Sequence, residues 1–277
     1  MLATMILAAT AALTAADHHG EGADPNKLTP EEKKAGWISL FDGKSLKGWN
    51  DPAKKSPPGQ AWEVKDGAIH AVPKPNLRED LISDKKFRDF ELVWQWKLDK
   101  GSNSGLKYRV QDRFFLDKAK FKKGVSFEEG VGHELANHLS SRSKPSAEGG
   151  EEYTVAFEYQ MIDDDVHRDA MRGALYQTGA IYSMIPASKK VAKPIGEWNT
   201  SKVVLKGEHV EHWLNGEKLV DAMLNSEPIL AASAKRWQKH APSLYKLLVE
   251  QPVKECPIDL QHHNDSVWFR AIKIRKL

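Results

Sequence analysis

Phe90 to Leu98 reads Phe-Glu-Leu-Val-Trp-Gln-Trp-Lys-Leu, and its alternation decides the fold class. Phe90, Leu92, Trp94, Trp96 and Leu98 fall on one side of an extended chain, with Glu91, Val93, Gln95 and Lys97 on the other. A period of two predicts a β-strand with one apolar face, because helical apolar positions recur at three and four instead. Working outward, Tyr153 to Ile162 (YTVAFEYQMI) is a second strong strand. Ser201 to Leu205 and His209 to Leu214 are strand-like and separated by a turn at Gly207. Asn215-Gly216 is the strongest hairpin signal in the chain, since a tight turn there needs two residues that tolerate positive φ. Val267 to Ile274 supplies a terminal strand. Many strands joined by hairpins, with few helices, predict an all-β antiparallel sandwich.

Two helical stretches interrupt this pattern. Thr29 is placed as an N-cap, with Pro30 at the first helical position and Glu31 and Glu32 in the first turn, where the helix dipole favours acids. Leu244, Leu247 and Leu248 sit at helical spacing within Ile229 to Glu250, predicting a helical insertion packed outside the sandwich. Residues 118–150 are rich in Gly, Ser, Lys and Glu and read as a long loop bordering a site.

The net charge of +3 over 277 residues, with Lys and Arg dispersed, excludes a nucleic-acid partner as the first reading. Nine Trp stand out against six Tyr; each suits a sugar ring or the space between two sheets. Residues 1–16, MLATMILAATAALTAA, read as a signal peptide cleaved after Ala16, too short for a membrane span, which predicts export to the periplasm or cell surface. Residues 17–27 read as a disordered mature N-terminus, where His18 and His19 belong to a solvated tail rather than a metal site, and residues 28–277 as one domain. A single cysteine, Cys256, forbids an intramolecular disulfide, so the core must hold the fold.

Four stretches in order resemble one family, the 3-keto-disaccharide hydrolase domain. They are GWISLFDGKSLKGW from Gly36; GSNSGLKYR from Gly101, followed by EYQMID from Glu158; TGAIY from Thr178 with GEWNTSKVVLKGEHVEHWLNG from Gly196; and DLQHHNDSVWFRAIKI from Asp259. The resemblance implies a concanavalin A-like jelly roll and cleavage of a glycosidic bond in a sugar oxidised to a ketone at its third carbon. Where the family shows Leu-Gln-Asp-His-Gly, this chain reads Leu260, Gln261, His262, His263, Asn264, so His263 matches the family histidine while His262 and Asn264 depart.

Glu158 and Gln160 are two apart on a strand and leave the same face, while Phe157, Tyr159 and Met161 leave the other, as a strand lining a solvated cleft would. Lys107 and Arg109 show the same spacing after an Asn103-Ser104-Gly105 turn, and Gln261 and His263 share a face with His262 opposed. His212 and Trp213 point to opposite faces; the resemblance favours His212 in the site, and a structural hairpin histidine is the alternative. Under the resemblance, Glu158 and His263 are the expected base and acid, in either order. Asn103, Lys107, Arg109, Gln160, Tyr182, His212 and Gln261 are expected to bind substrate, with Arg109, Lys107 or a divalent cation holding an enolate. The Asp163-Asp164-Asp165 run reads first as a solvated acidic turn and second as a metal site. His133, Glu134 and His138 miss the helical zinc motif, because Asn137 stands where its second histidine belongs. A non-catalytic carbohydrate-binding module on the same fold is the second functional reading, and a structural or adhesive surface domain the third.

Overall fold

A computed structural model describes residues 24–50, 61–73, 79–117, 119, 121–137 and 151–277. The expected leader and the His18-His19 tail lie outside these residues. In chain order the elements are α1 Pro30–Lys34, β1 Ile38–Ser39, β2 Trp49–Asn50, β3 Trp62–Lys65, β4 Ala68–Ala71, β5 Leu81–Phe87, β6 Phe90–Leu98, β7 Asn103–Leu116, α2 Phe127–Asn137, β8 Glu151–Ile162, β9 Asn199–Lys206, β10 His209–Leu214, β11 Glu217–Met223, α3 Glu227–Ser233, α4 Pro242–Tyr245, β12 Cys256–Leu260 and β13 Val267–Lys276. Among the described residues no helix is long and apolar enough to cross a membrane.

The strands form two antiparallel sheets, the sandwich that the alternation predicts and the jelly roll that the family resemblance implies. One runs β11-β10-β9-β6-β13-β4-β3, with β1 added against β13; the other runs β2-β5-β12-β7-β8. The apolar side of β6 and the Leu106, Tyr108, Phe157, Tyr159 and Met161 side of β7 and β8 fill the space between them. Trp37, Trp49, Trp62, Trp94, Trp96 and Trp237 are buried, so most of the tryptophan serves the core. Their indole N–H groups are satisfied where they are deepest: Trp96 donates to Ser201 Oγ (2.8 Å) and Trp49 to the Leu40 carbonyl (2.6 Å). Burial of each such side chain contributes about 1.5–3 kcal/mol. Asn215 and Gly216 both take positive φ, +49° and +86°, and the β10–β11 hairpin turns there as expected.

Three expectations need correction. The chain is fixed before residue 28: buried Asn26 donates to the Gly67 carbonyl (2.9 Å) and accepts from Ala271 N–H (2.8 Å). Residues 118–150 are not all loop, because α2 lies among them; His138 is outside the described residues. The insertion is not one helix. Pro242 cannot continue a helical hydrogen-bond ladder, and the stretch divides into α3 and α4, each running into a π-helical turn, Ala234–Gln238 and Lys246–Glu250. Nor does it stand wholly outside: Ile229, Trp237, Leu244 and Leu248 join the core.

Candidate active site

The second sheet has one face in the core and one under a cavity of about 820 Å³. The β7–β8 ladder makes the floor. Lys107 pairs with Glu158, Gly105 with Gln160 and Asn103 with Ile162, and directly opposed residues share a face, so Asn103, Lys107, Glu158 and Gln160 all line the cavity. The walls come from irregular backbone: Arg168, Asp169, Arg172 and Tyr182 beyond β8; Glu128 at the start of α2; Arg236, Trp237 and His240 from the insertion; and Gln261 and His263 beyond β12.

Lys107 is almost wholly buried and locked from beneath. It forms an ion pair with Asp80 and lies 4.0 Å from Asp259 Oδ2. Asp80 also accepts from Thr154 Oγ1 (3.0 Å) and from the His262 N–H (2.9 Å). Burial alone would discharge both groups. It is outweighed for Lys107 by the Asp259 and Asp80 carboxylates, which hold its pKa above the usual ammonium value, and for Asp80 by Lys107 and the His262 N–H, which hold its pKa below the usual carboxylate range.

Glu158 is different. Desolvation dominates and pushes its pKa up to about 7; Lys107 and Arg236 pull down, while Asp80 and Asp169 push up. The other carboxylates of the lining are committed elsewhere. Asp169 accepts from Tyr182 Oη (2.8 Å) and Arg172 (2.8 Å), which outweigh its burial and lower its pKa; Glu128 accepts from Arg236 Nε (3.2 Å). A half-buried carboxyl poised near neutrality in a polar cleft is suited to take and return a proton.

Gly105 makes room for it. A Cβ at this position would stand 2.1 Å from Glu158 Oε1 and 2.6 Å from Cδ. Gly105→Ala is therefore expected to displace the carboxylate and lower turnover by about tenfold or more while the protein stays folded. Circular dichroism and steady-state rates check this; a fully active Ala variant would show that the position of Glu158 is immaterial.

Two expected site residues are not in the cleft. Arg109 leaves the ladder because β7 bulges between Tyr108 and Asp112; its φ is +53°, and its guanidinium donates to the Gly207 and Lys254 carbonyls. His212 does oppose Trp213, but its face is the core. It is fully buried between Tyr108 Oη (2.9 Å) and the Gly179 carbonyl (2.9 Å), and burial pushes its pKa down to about 4, so it is a neutral structural residue. Asn103, Lys107, Gln160, Tyr182, Gln261, Glu158 and His263 are brought together. His262 opposes Gln261 and His263 and turns inward, its Nε2 bonded to the Val72 carbonyl (2.9 Å). Asp163 and Asp164 hold turns, accepting from the Gly101, Asp165 and Thr178 N–H groups, but Asp163 is buried, so the acidic turn is not the solvated one expected. Sequence reading missed Asp80, Asp169 and Arg236. The first two stand in irregular backbone with no periodic signal, and the third shares an amphipathic stretch whose polar side gives no direction.

Comparison with known proteins bears on the family and the fold. The model of the 3-keto-alpha-glucoside-1,2-lyase-like domain matches residues 36–275. A 3-keto-disaccharide hydrolase of Bacteroides thetaiotaomicron is 32% identical over 254 residues, covering 87% of this chain and 79% of that protein. A crystal structure of a proposed glycosyl hydrolase from Parabacteroides distasonis superposes with a TM-score of 0.66 at 28% identity, covering 91% of this chain and 99% of that one. A second from the same organism gives 0.56 at 25% identity, covering 87% and 99%.

Proposed function

Since the chain belongs to the 3-keto-α-glucoside-1,2-lyase-like family and is an enzyme, we propose that it hydrolyses the glycosidic bond of a 3-keto-disaccharide by elimination and rehydration. The observation that carries this reading is Glu158, which burial holds near neutrality on the cavity floor opposite Lys107. Direct displacement at an anomeric carbon commonly uses two carboxyl groups flanking the bond, one of them protonated. Elimination needs one base, because the ketone at the third carbon acidifies the hydrogen on the second.

Glu158 removes that hydrogen, and the C–H electron pair becomes the enolate. Arg236 and Lys107, the cations that act on Glu158, meet the charge that develops on the ketone oxygen. The enolate collapses and expels the oxygen at the first carbon, which takes a proton from His263 of the cavity wall. Water then adds to the first carbon while the second regains a proton, so the balance is hydrolysis. Asn103, Gln160, Tyr182 and Gln261 orient hydroxyls. Export, as read from the leader, would place this activity in the periplasm or at the cell surface.

The test is turnover of keto-oxidised against ordinary disaccharides in heavy water. Cleavage of the keto-sugar, with solvent deuterium at the second carbon beyond the exchange of free product, is the expected result. Comparable cleavage of the unoxidised sugar, or product without deuterium, would overturn the proposal.

A further inference from the structure

We infer that His167, His263 and Asp265 form a binding site for one divalent transition-metal ion at the rim of the cavity. One ligand atom from each lies within 4.8 Å of those of the other two. Two segments converge to make the cluster: His167 follows β8, while His263 and Asp265 flank Asn264 between β12 and β13. Asn264 has φ +66°, a left-handed turn that an asparagine tolerates. The His263 Nδ1 to Asp265 Oδ2 distance is 3.4 Å. That is long for a direct hydrogen bond, but two ligands of one ion at bond lengths near 2.1 Å stand about 3.0–3.4 Å apart.

The surroundings also suit a ligand set. All three residues are half-buried, neither sealed in the core nor free in bulk solvent. Asn103 donates its N–H to Asp265 Oδ2 (3.1 Å) and orients the carboxylate. The Asp169 N–H donates to His167 Nδ1 (3.1 Å), so the ion must displace this bond, by taking that lone pair or by turning the ring. Two imidazoles with one carboxylate favour manganese, iron, cobalt, nickel or zinc over magnesium and calcium, which prefer oxygen ligands. Three protein ligands leave positions open, and His263 lines the cavity, so those positions can take a substrate oxygen. A second cluster, His209, Glu211 and Asp221, is a different object. His209 and Asp221 bond directly at 2.7 Å, and Lys218 already binds both acids (2.8 and 2.6 Å).

The existence of the metal site stands apart from the activity proposed above; its use in catalysis rests on that reading. With a cation bound, His263 is a ligand instead of a proton donor, the enolate oxygen faces the ion, and the proton taken by Glu158 is the one returned to the leaving oxygen.

The experiment uses the full chain with His18→Ala and His19→Ala, so that tail imidazoles do not contribute. After chelator treatment, Mn²⁺ is titrated and followed by electron paramagnetic resonance. One bound ion per chain is expected. His167→Ala and Asp265→Asn should each weaken binding by at least about tenfold, and His209→Ala should leave it unchanged. Asp265→Asn is nearly isosteric and keeps the test valid if His167→Ala fails to fold. No binding by the parent, or parental binding by both site variants, would overturn the site and leave an ordinary histidine–carboxylate pair. In a second arm, chelation should slow keto-disaccharide cleavage and Mn²⁺ should restore it. Cleavage indifferent to chelation in a protein that binds Mn²⁺ would remove the catalytic role alone, leaving the elimination by Glu158 untouched.

Discussion

Replacing Glu158 by Gln is expected to leave a folded protein whose turnover of a 3-keto-disaccharide falls by at least about a hundredfold. The amide keeps the shape over Gly105 but cannot accept the proton from the second carbon. The pH dependence makes the test specific. Because desolvation pushes the Glu158 pKa up to about 7, the base form gains population as pH rises through neutrality, and kcat/KM of the parent should climb along an acid limb centred there. Any residual activity of the Gln variant should lack that limb. Stability moves the other way. A carboxyl with a raised folded-state pKa favours the fold while it is protonated. That contribution is present below its unfolded value of about 4.5 and is lost as pH rises through about 7. At pH 8 the Gln variant should therefore be at least as stable as the parent, by up to 1–3 kcal/mol on an order-of-magnitude scale. Urea denaturation at pH 5 and 8 reads this directly. A variant that turns over at the parental rate, or one much less stable than the parent at pH 8, would remove Glu158 from the role of base.

Lys107→Met should be the most damaging single change to the floor. It takes one ammonium away from two buried carboxylates, Asp80 and Asp259, and the loss of a partner from a buried pair costs roughly 3–5 kcal/mol. Methionine fills most of the volume, so the loss is electrostatic rather than a cavity. Adding Asp80→Asn removes one of the stranded charges and should recover a substantial part of the stability. It should not recover activity, since the cation beside Glu158 is still missing. Urea midpoints of parent, single and double variants decide the matter. A single-variant loss under about 1 kcal/mol, or a double variant no better than the single, would show that Lys107 is not bound into the fold as its contacts indicate.

The sequence was most informative where the chain is periodic. Phe90 to Leu98 shows its apolar face because side chains on a strand must alternate, and Glu158 with Gln160 parts from Phe157 and Tyr159 for the same reason. The Gln261 and His263 pair separates from His262 by the same parity just past a strand's end. Parity says which residues share a face and not which face meets the other sheet, so His212 was correctly opposed to Trp213 yet could not be assigned to the core. It also fails without warning at a bulge: Arg109 sits two residues beyond Lys107, but a positive φ and a two-residue offset in the ladder carry it away. The walls were the least legible part. Asp169 and Arg236 are brought to Glu158 by tertiary packing of loop and insertion, and no local pattern encodes a neighbour so distant along the chain.

The placement of β13 has a consequence for how this molecule is made. The last strand of the sequence is an interior one, hydrogen-bonded to β6 on one side and to β4 on the other. A chain emerging from the ribosome can form the β9–β10–β11 meander and the β7–β8 ladder early, since their partners are close in sequence. Until Val267 to Lys276 arrives, however, the larger sheet is split into β11-β10-β9-β6 and β4-β3 with β1 unpaired, and the apolar side of β6 has no completed layer around it. Such long-range closure is slow and leaves sticky edges open in the meantime. The larger sheet is therefore completed only when this one central strand inserts between β6 and β4.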